Sequence, residues 1–309
     1  MLTHILGEHY GLADVTLTPA PRGFVAETYY VDSQSGRYFA KLVKMSHDSE
    51  ILEQSLPVLQ ALRRLGVEAI NYPIPTSDGR LSVPMDGQIL VVFNYIAGQT
   101  DDHFPLEPYV KVLAQVHQLS DQIKVSLPSE TFDLEFKNDL MNQLHHLSTD
   151  TFDQPQENAL QAWVIERRDA ILRDLSLLEA TIEPLRSADM PAVLTHGDAS
   201  GNVVYDGSQL SVIDWDTVLF APRERDTWFH RHTPDFLELY RAFVPGYEFD
   251  PTAYRFYLYK RYLEDMVGFV EKILSPDSSD AQKIHNLSEL YKTCDDWLHP
   301  LMEQERAEQ

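Results

Sequence analysis

The chain has 309 residues, 43% of them hydrophobic and 24% charged, a composition typical of folded proteins with enough apolar side chains for two domain-sized cores. It carries 25 lysines and arginines against 48 aspartates and glutamates, and the formal net charge of −23 argues against nucleic-acid and anionic membrane partners. A single cysteine, Cys294, no secretory signal and no apolar run long enough to cross a bilayer together predict a cytoplasmic protein.

The first hundred residues predict a small sheet with one helix. Two β-branched and aromatic runs, at 27–32 and 37–43, flank a polar turn and predict a hairpin. Leucines at three- and four-residue spacing then predict an amphipathic helix that ends near Gly66. Asp-Gly turns on either side of residues 80–85 and a dense apolar run at 88–95 predict a second strand pair.

After Gly98 the spacing of apolar residues becomes helical. Six helices are predicted, at 107–123, 132–147, 156–185, 222–243, 251–274 and 280–302. One stretch, 192–218, interrupts them with short β-branched runs around Asp206-Gly207, which predict a second hairpin.

This second hairpin carries the side chains best suited to chemistry. Asp198, Asn202 and Asp214 bring two carboxylates and an amide to one end of it. Such oxygen ligands suit Mg²⁺, which usually keeps a phosphate and waters among its partners. In phosphoryl transfer, one aspartate accepts the hydroxyl proton while an asparagine and a second aspartate hold metal on the nucleotide phosphates. The residue types and their order therefore match phosphoryl transfer.

The same residues carry a family resemblance. The motif H-G-D at 196–198, Asn202 and I-D-W at 213–215 resemble segments of the aminoglycoside phosphotransferase and choline kinase family, which has a protein-kinase-like fold. The continuation D-W-D-T at 214–217 and A-P-R-E-R-D at 221–226 looks most like the spectinomycin phosphotransferase branch. A set of polar turn residues on a hairpin is the plainer alternative.

The resemblance implies a role for each residue. Asp198 would be the catalytic base, Asn202 and Asp214 the Mg²⁺ ligands, and Asp226 a buried acid that orders the catalytic loop. The family usually has five residue steps from the aspartate to the asparagine, whereas this sequence has four. We therefore expect the loop to be tightened at Ser200-Gly201.

The resemblance extends to the N-terminal part. Lys41, with Lys44 as the alternative, matches the lysine that pairs with the α- and β-phosphates. Gly23 belongs to the loop that would cover the phosphates, with one glycine where protein kinases have three. The following helix should supply a glutamate to hold the lysine, but a serine occupies the expected position, and we favour Glu53 over Glu50.

The strand at 89–93, together with residues 94–98 that follow it, resembles the hinge between the lobes that binds adenine in this family. Phe93 would lie beside the ring, and backbone groups of Asn94 and Ile96 would bond to its edge. An ordinary strand end is the alternative, because backbone contacts leave no side-chain pattern to recognise.

The acceptor is expected to be a cationic small molecule. Residues 1–99 have a net charge of −3, whereas residues 100–309 have 18 positive and 38 negative side chains, a net charge of −20. A cleft lined by one sign of charge concentrates molecules of the opposite sign. Asp216, Tyr262 and Asp265 are the candidate acceptor-binding residues, although Asp216 could instead cap the following turn and Tyr262 belongs to an aromatic stripe typical of a core.

Together these features predict an α+β, two-lobed, kinase-like fold with a sheet-plus-helix lobe at 1–98 and a larger, mainly helical lobe at 99–309. The expected activity is transfer of the γ-phosphate of ATP or GTP, with Mg²⁺, to a hydroxyl of an aminoglycoside or aminocyclitol. A kinase for choline, homoserine or a sugar, and a nucleotide-binding module without catalysis, are the alternatives. The oligomeric state is expected to be a monomer or homodimer.

Overall fold

The structure, a computed structural model, describes residues 1–20, 26–100 and 104–308. The prediction for Gly23 falls outside the described residues. Among those residues, no helix combines the length and apolar character needed to span a membrane.

The N-terminal part is built on a five-stranded antiparallel sheet. Its strands are β1 (Thr16–Pro19), β2 (Ala26–Ser33), β3 (Gly36–Lys44), β4 (Val83–Met85) and β5 (Gln88–Asn94). They lie in the order β1-β2-β3-β5-β4, so both hairpins predicted for this region are confirmed. The predicted helix is α2 (His47–Arg64), and an additional helix, α1 (Leu2–Tyr10), precedes the sheet.

The alternation of side chains along β3 gives the sheet two different faces. Ala40 and Leu42 share a hydrophobic core with Leu90 of β5 and with Leu6 of α1. Since successive strand residues point to opposite faces, Lys41 lies on the other face of the sheet. The core that α1 and the sheet share therefore fixes the direction in which Lys41 points.

Two smaller sheets are formed by strands that follow the connector, residues 95–98, which joins β5 to β6. The first consists of β6 (Gln99–Thr100), β8 (Val203–Tyr205) and β9 (Leu210–Val212), and the second of β7 (Val193–Thr195) and β10 (Leu219–Ala221). Strands β8 and β9 form the hairpin predicted around Asp206-Gly207, which is confirmed.

The remaining elements are mainly helical. They are α3 (Leu106–Gln118), α4 (Lys137–Thr149), α5 (Pro155–Ser187), α6 (Glu224–Thr227), α7 (Phe236–Phe243), α8 (Pro251–Leu274), α9 (Asp280–Leu290) and α10 (His299–Ala307). A π-helical segment, Tyr291–Leu298, joins the last two. The helices predicted at 156–185, 251–274 and 280–302 are confirmed.

Two of the predicted helices differ from the structure. The helix predicted at 222–243 is broken between α6 and α7, because Pro234 disfavours helical backbone before it and Asp235 has a left-handed φ of 64°. The helix predicted from residue 132 begins only at Lys137, since Phe132 also has a positive φ, 57°.

The chain forms two compact units. One comprises residues 1–129 and 191–247, and the other residues 130–190 and 248–309. The division at residue 98 into two functional lobes stays a prediction. Within the second unit, the aromatic stripe of α8 is buried, as its interpretation as core requires, with Tyr254, Phe256, Tyr257, Tyr259 and Tyr262 each at most 5% exposed.

Candidate active site

The loop at 196–202 is held from below by a buried carboxylate. Asp226, which is 5% exposed, accepts hydrogen bonds from the backbone N–H groups of His196 (2.9 Å) and Gly197 (2.6 Å). Its Oδ2 also lies 3.0 Å from Nε2 of the buried His117. Burial alone would raise the pKa of Asp226, but the hydrogen bond with His117 and nearby positive groups lower that pKa to about 2. The role predicted for Asp226, a buried acid that orders this loop, is confirmed.

His196 ties the loop to the strand end opposite. Its Nδ1 accepts the N–H of Asp198 (3.1 Å), so Nε2 carries the ring proton and donates it to the carbonyl of Ile213 (2.8 Å). The ring is fully buried and packs against Trp215, with centroids 4.5 Å apart. One side chain thereby fixes the backbone on both sides of the predicted catalytic residues.

Gly197 is required at its position in the loop. Its φ is +91°, and an added Cβ would lie 2.3 Å from the guanidinium of Arg225. That guanidinium donates to Thr195 Oγ1 (2.9 Å) and to the carbonyl of Thr217 (3.0 Å), so it is not free to move aside.

Asp198 and Asn202 lie side by side at the top of the loop. The Asn202 amide donates to the backbone carbonyl of Asp198 (2.8 Å) and more weakly to its Oδ2 (3.3 Å). A 3-10 turn, Ala199–Gly201, separates the two residues and confirms that the short spacing tightens the loop. Asp198 is exposed, as a base that must reach a substrate has to be.

Lys41 meets two carboxylates that follow β9. Its Nζ donates to Asp214 Oδ1 (2.7 Å) and to Asp216 Oδ2. The Lys41 side chain is 12% exposed and that of Asp214 47% exposed. Asp214 has a left-handed φ of 64°, a conformation that costs energy and turns its carboxylate toward the lysine.

The charges of this trio act on one another. Burial alone would lower the pKa of the Lys41 ammonium, but the two carboxylates outweigh it and raise that pKa. Burial alone would raise the pKa of Asp214, yet Lys41 outweighs it and lowers that pKa. For Asp216, burial and the neighbouring charge of Asp214 prevail over Lys41, and its pKa is raised.

Glu53 does not reach the lysine. Its Oε1 accepts the hydroxyl of Ser82 (2.5 Å), while the partners of Lys41 in the described part of the chain are Asp214 and Asp216. The position where the family would place a glutamate holds Ser55, which is fully buried and donates to the carbonyl of Leu52 (2.7 Å). The helix therefore offers the lysine no carboxylate there.

The trio lines a cavity of about 410 Å³. The hinge segment, residues 93–96, forms another part of its wall through Phe93, Asn94 and Ile96. The N–H of Asn94 donates to the carbonyl of Tyr72 (3.1 Å), so that N–H is already occupied. Lys41 and the predicted hinge residues thus face one space.

Sequence reasoning missed several residues of this cavity, among them Tyr30, Phe39 and Asn71. Phe39 could have been found, because it stands two positions before Lys41 on β3 and must share its face. Tyr30 pairs with Phe39 across the hairpin, and their rings form an edge contact at 6.1 Å. Nothing in the sequence around Asn71 distinguishes it from an ordinary loop residue.

The remaining acceptor candidates lie on α8, in the second compact unit. Tyr262 is 4% exposed, and burial raises the pKa of its hydroxyl well above the usual value. Asp265 accepts from Arg261 Nε at 2.6 Å. Asp216, predicted as their partner in acceptor recognition, is instead bonded to Lys41.

The oxygen donors of the site suit a magnesium ion. Asp214, Asp216 and Asn202 offer carboxylate and amide oxygens, the ligands that Mg²⁺ prefers. Among the described residues, no three His, Cys, Asp or Glu side chains are grouped closely enough to bind a metal alone. Such a set fits an ion whose other ligands are phosphate oxygens and water.

Known proteins resemble the chain in sequence and in structure. Residues 16–257 match the sequence profile of the phosphotransferase enzyme family, which is more than half of the chain. Protein StrN of Streptomyces griseus is 27% identical over 222 residues, a match that covers 68% of this chain and just under two thirds, 66%, of StrN.

Solved structures share the fold over nearly the whole length. A spectinomycin phosphotransferase in complex with ADP and spectinomycin has a TM-score of 0.82 at 20% identity, covering 99% of this chain and 97% of that one. A microcompartment-associated aminopropanol kinase has a TM-score of 0.65 at 17% identity, covering 98% and 97%. These similarities confirm the predicted α+β, kinase-like fold.

Proposed function

Because the chain belongs to the phosphotransferase enzyme family, we propose that it transfers the γ-phosphate of ATP or GTP to a hydroxyl of a small molecule. The observation that carries the proposal is the 2.7 Å contact between Lys41 Nζ and Asp214 Oδ1, in the cavity that the hinge segment also lines. The two residues are 173 positions apart in sequence. Phosphoryl transfer needs such a meeting of phosphate-binding and metal-binding groups, since positioning and electrostatics supply most of its catalysis.

Asp198 serves as the base in this proposal. Its carboxylate is exposed, while the backbone on its N-terminal side is held by Asp226 through His196 and Gly197. A carboxylate on a fixed backbone can accept the proton of an acceptor hydroxyl as the oxygen attacks phosphorus. The hydrogen bond from Asn202 to Oδ2 orients the carboxylate before the acceptor arrives.

Asp214 and Asn202 are the residues that we assign to magnesium. When bound, the ion neutralises charge that develops on the phosphates. Asn202 donates its amide N–H to Asp198, so its amide oxygen points the other way and can act as a ligand.

Asp216 takes over the task of the missing helix glutamate. It contacts Lys41 Nζ directly, whereas Glu53 is bonded to Ser82 and Ser55 occupies the usual glutamate position. We assign Asp216 to orienting the lysine ammonium toward the phosphates, in place of the acceptor-binding role that the sequence suggested.

The acceptor that we favour is an aminocyclitol or aminoglycoside. Two observations support it: the near-complete structural match to a spectinomycin phosphotransferase, and the net charge of −20 over residues 100–309. Acidic surroundings concentrate a cationic acceptor and lose that effect as salt rises. Tyr262 and Asp265 stay candidate acceptor residues.

A second candidate is a small amino alcohol. The aminopropanol kinase with a TM-score of 0.65 favours it, and choline and homoserine present the same combination of a hydroxyl and an ammonium group. Both candidates therefore use the same site chemistry and differ in acceptor size.

The test is transfer of radiolabelled phosphate. Purified protein with γ-labelled ATP or GTP and Mg²⁺ is offered spectinomycin, aminoglycosides, aminopropanol, choline, homoserine and simple sugars, with Asp198→Asn as the inactive control. We expect a labelled product from one cationic acceptor class. Nucleotide binding without transfer to any acceptor would favour the non-catalytic alternative, and no nucleotide binding at all would overturn the proposal.

A further inference from the structure

Asn71 is a polar residue among those that line the cavity. The lining of the same cavity includes the apolar residues Phe39, Phe93, Val204 and Ile213. The Oδ1 atom of Asn71 is buried and accepts no hydrogen bond from any residue that the structure describes. Buried polar atoms of folded proteins nearly always have a partner, so an exception next to a ligand cavity calls for an explanation.

The backbone on both sides of Asn71 is fixed. On one side, the carbonyl of Ala69 accepts the N–H of Val212 at 2.9 Å. On the other side, the N–H of Tyr72 donates to Asn94 Oδ1 (2.7 Å) and its carbonyl accepts the N–H of Asn94 (3.1 Å). The backbone of Asn71 is thus held in place, one residue away from a contact with the hinge segment.

We infer that the Asn71 side chain forms a hydrogen bond with the group at position 6 of the purine base, an inference that rests on the proposed phosphotransferase function. The hinge segment would bond to the edge of the base that carries this group. A carboxamide has an acceptor at one end and a donor at the other. It can accept from the amino group of adenine or, after rotation, donate to the exocyclic oxygen of guanine.

This role makes a prediction about stability as well as binding. Leucine has nearly the shape of asparagine but no polar atoms, so Asn71→Leu removes a buried oxygen that has no protein partner. The melting temperature of the nucleotide-free protein should therefore stay the same or rise. A merely structural role for the amide would lower it.

The binding test compares three nucleotides by calorimetry, each with Mg²⁺: ADP, GDP and the diphosphate of purine riboside. Purine riboside carries hydrogen at position 6, where adenine has an amino group and guanine has an oxygen. Asn71→Leu should weaken ADP and GDP about 2- to 10-fold, the value of one hydrogen bond. The affinity of the purine riboside diphosphate should not change.

Asn71→Asp offers only acceptor oxygens, so it should raise the preference for ADP over GDP by a similar factor. Gln99→Leu is the matched control, because Gln99 is an exposed amide of the same cavity. In that variant the affinities of all three nucleotides should change by one common factor.

Equal weakening of all three nucleotides by Asn71→Leu, or weakening of none, would overturn the inference while the phosphotransferase proposal stands. Failure of the wild-type protein to bind any of the three would instead refute the proposed function. The measured melting temperatures show whether each variant is folded.

Discussion

The loop at 196–202 and the Lys41 trio both belong to the candidate active site, but their carboxylates are stabilised in different ways. Under the loop, the carboxylate of Asp226 is buried and receives two backbone N–H groups and His117. In the trio, one ammonium sits between Asp214 and Asp216, and the Asp214 side chain is 47% exposed.

This difference suggests that one region contributes mainly to folding stability and the other mainly to ligand binding. A buried carboxylate whose hydrogen bonds all come from the protein contributes to stability, and it would keep the proposed base, Asp198, in place before any substrate arrives. Two carboxylates that share one ammonium repel each other, and that repulsion falls when a cation binds. Changes under the loop should therefore alter stability, whereas changes in the trio should alter nucleotide affinity.

Asp198→Asn is expected to have the largest effect. It removes the proton acceptor and keeps the shape, so kcat should fall by about 10²- to 10⁴-fold while the melting temperature and nucleotide Kd stay nearly constant. Steady-state kinetics measure kcat, and calorimetry measures the melting temperature and the nucleotide Kd. Turnover near the wild-type rate would remove Asp198 from the base role.

Asp226→Asn should act through stability. The variant loses the charge that binds two N–H donors and His117, which should lower the free energy of unfolding by about 2 to 4 kcal/mol in urea titrations. Asp206→Asn is the matched control, because Asp206 also accepts backbone N–H groups but is exposed. An equal loss in both variants would contradict the special role of burial.

The same carboxylate predicts a pH dependence. Its pKa is about 2 in the folded protein against an ordinary value of 3.8, so its stabilisation is complete above about pH 4 and disappears as pH falls through 2. The difference in unfolding free energy between wild type and Asp226→Asn should shrink by about 2 kcal/mol over that window. A difference that is constant with pH would show that Asp226 does not titrate this way.

Asp216→Asn should have little effect on stability and should mainly change the KM for ATP. Repulsion with Asp214 is relieved, so the melting temperature should hold or rise slightly. Lys41 loses one of its two partners, and we expect KM for ATP to rise roughly tenfold with KM for the acceptor little changed. A rise confined to the acceptor KM would restore the acceptor-binding role that the sequence suggested.

How much the sequence could predict depended on whether the signal was local. The hairpin of β2 and β3 and the helix α2 follow from side-chain periodicity and turn residues, which act within a few positions. The break before α7 was also local, at Pro234 and Asp235, but the apolar spacing on either side concealed it.

The partner of Lys41 could not be predicted in this way. Helix spacing favoured Glu53, yet the carboxylates that reach the ammonium come from 173 and 175 positions further along the chain. They follow β9, which pairs with β8, and Asp214 has a left-handed backbone, so their position depends on long-range pairing and not on local spacing. The motif predicted these aspartates as functional residues without revealing which cation they would contact.

Gly98 has a mechanical consequence for the connector. Its φ is 132°, and a Cβ at this position would lie 2.7 Å from the carbonyl oxygen of Tyr205, so the connector crosses directly against β8. The next residue, Gln99, is already paired with Tyr205. The chain just after the predicted hinge residues is therefore anchored to the strand that follows Asn202, and any movement of β5 relative to β8 would have to occur within residues 95–97.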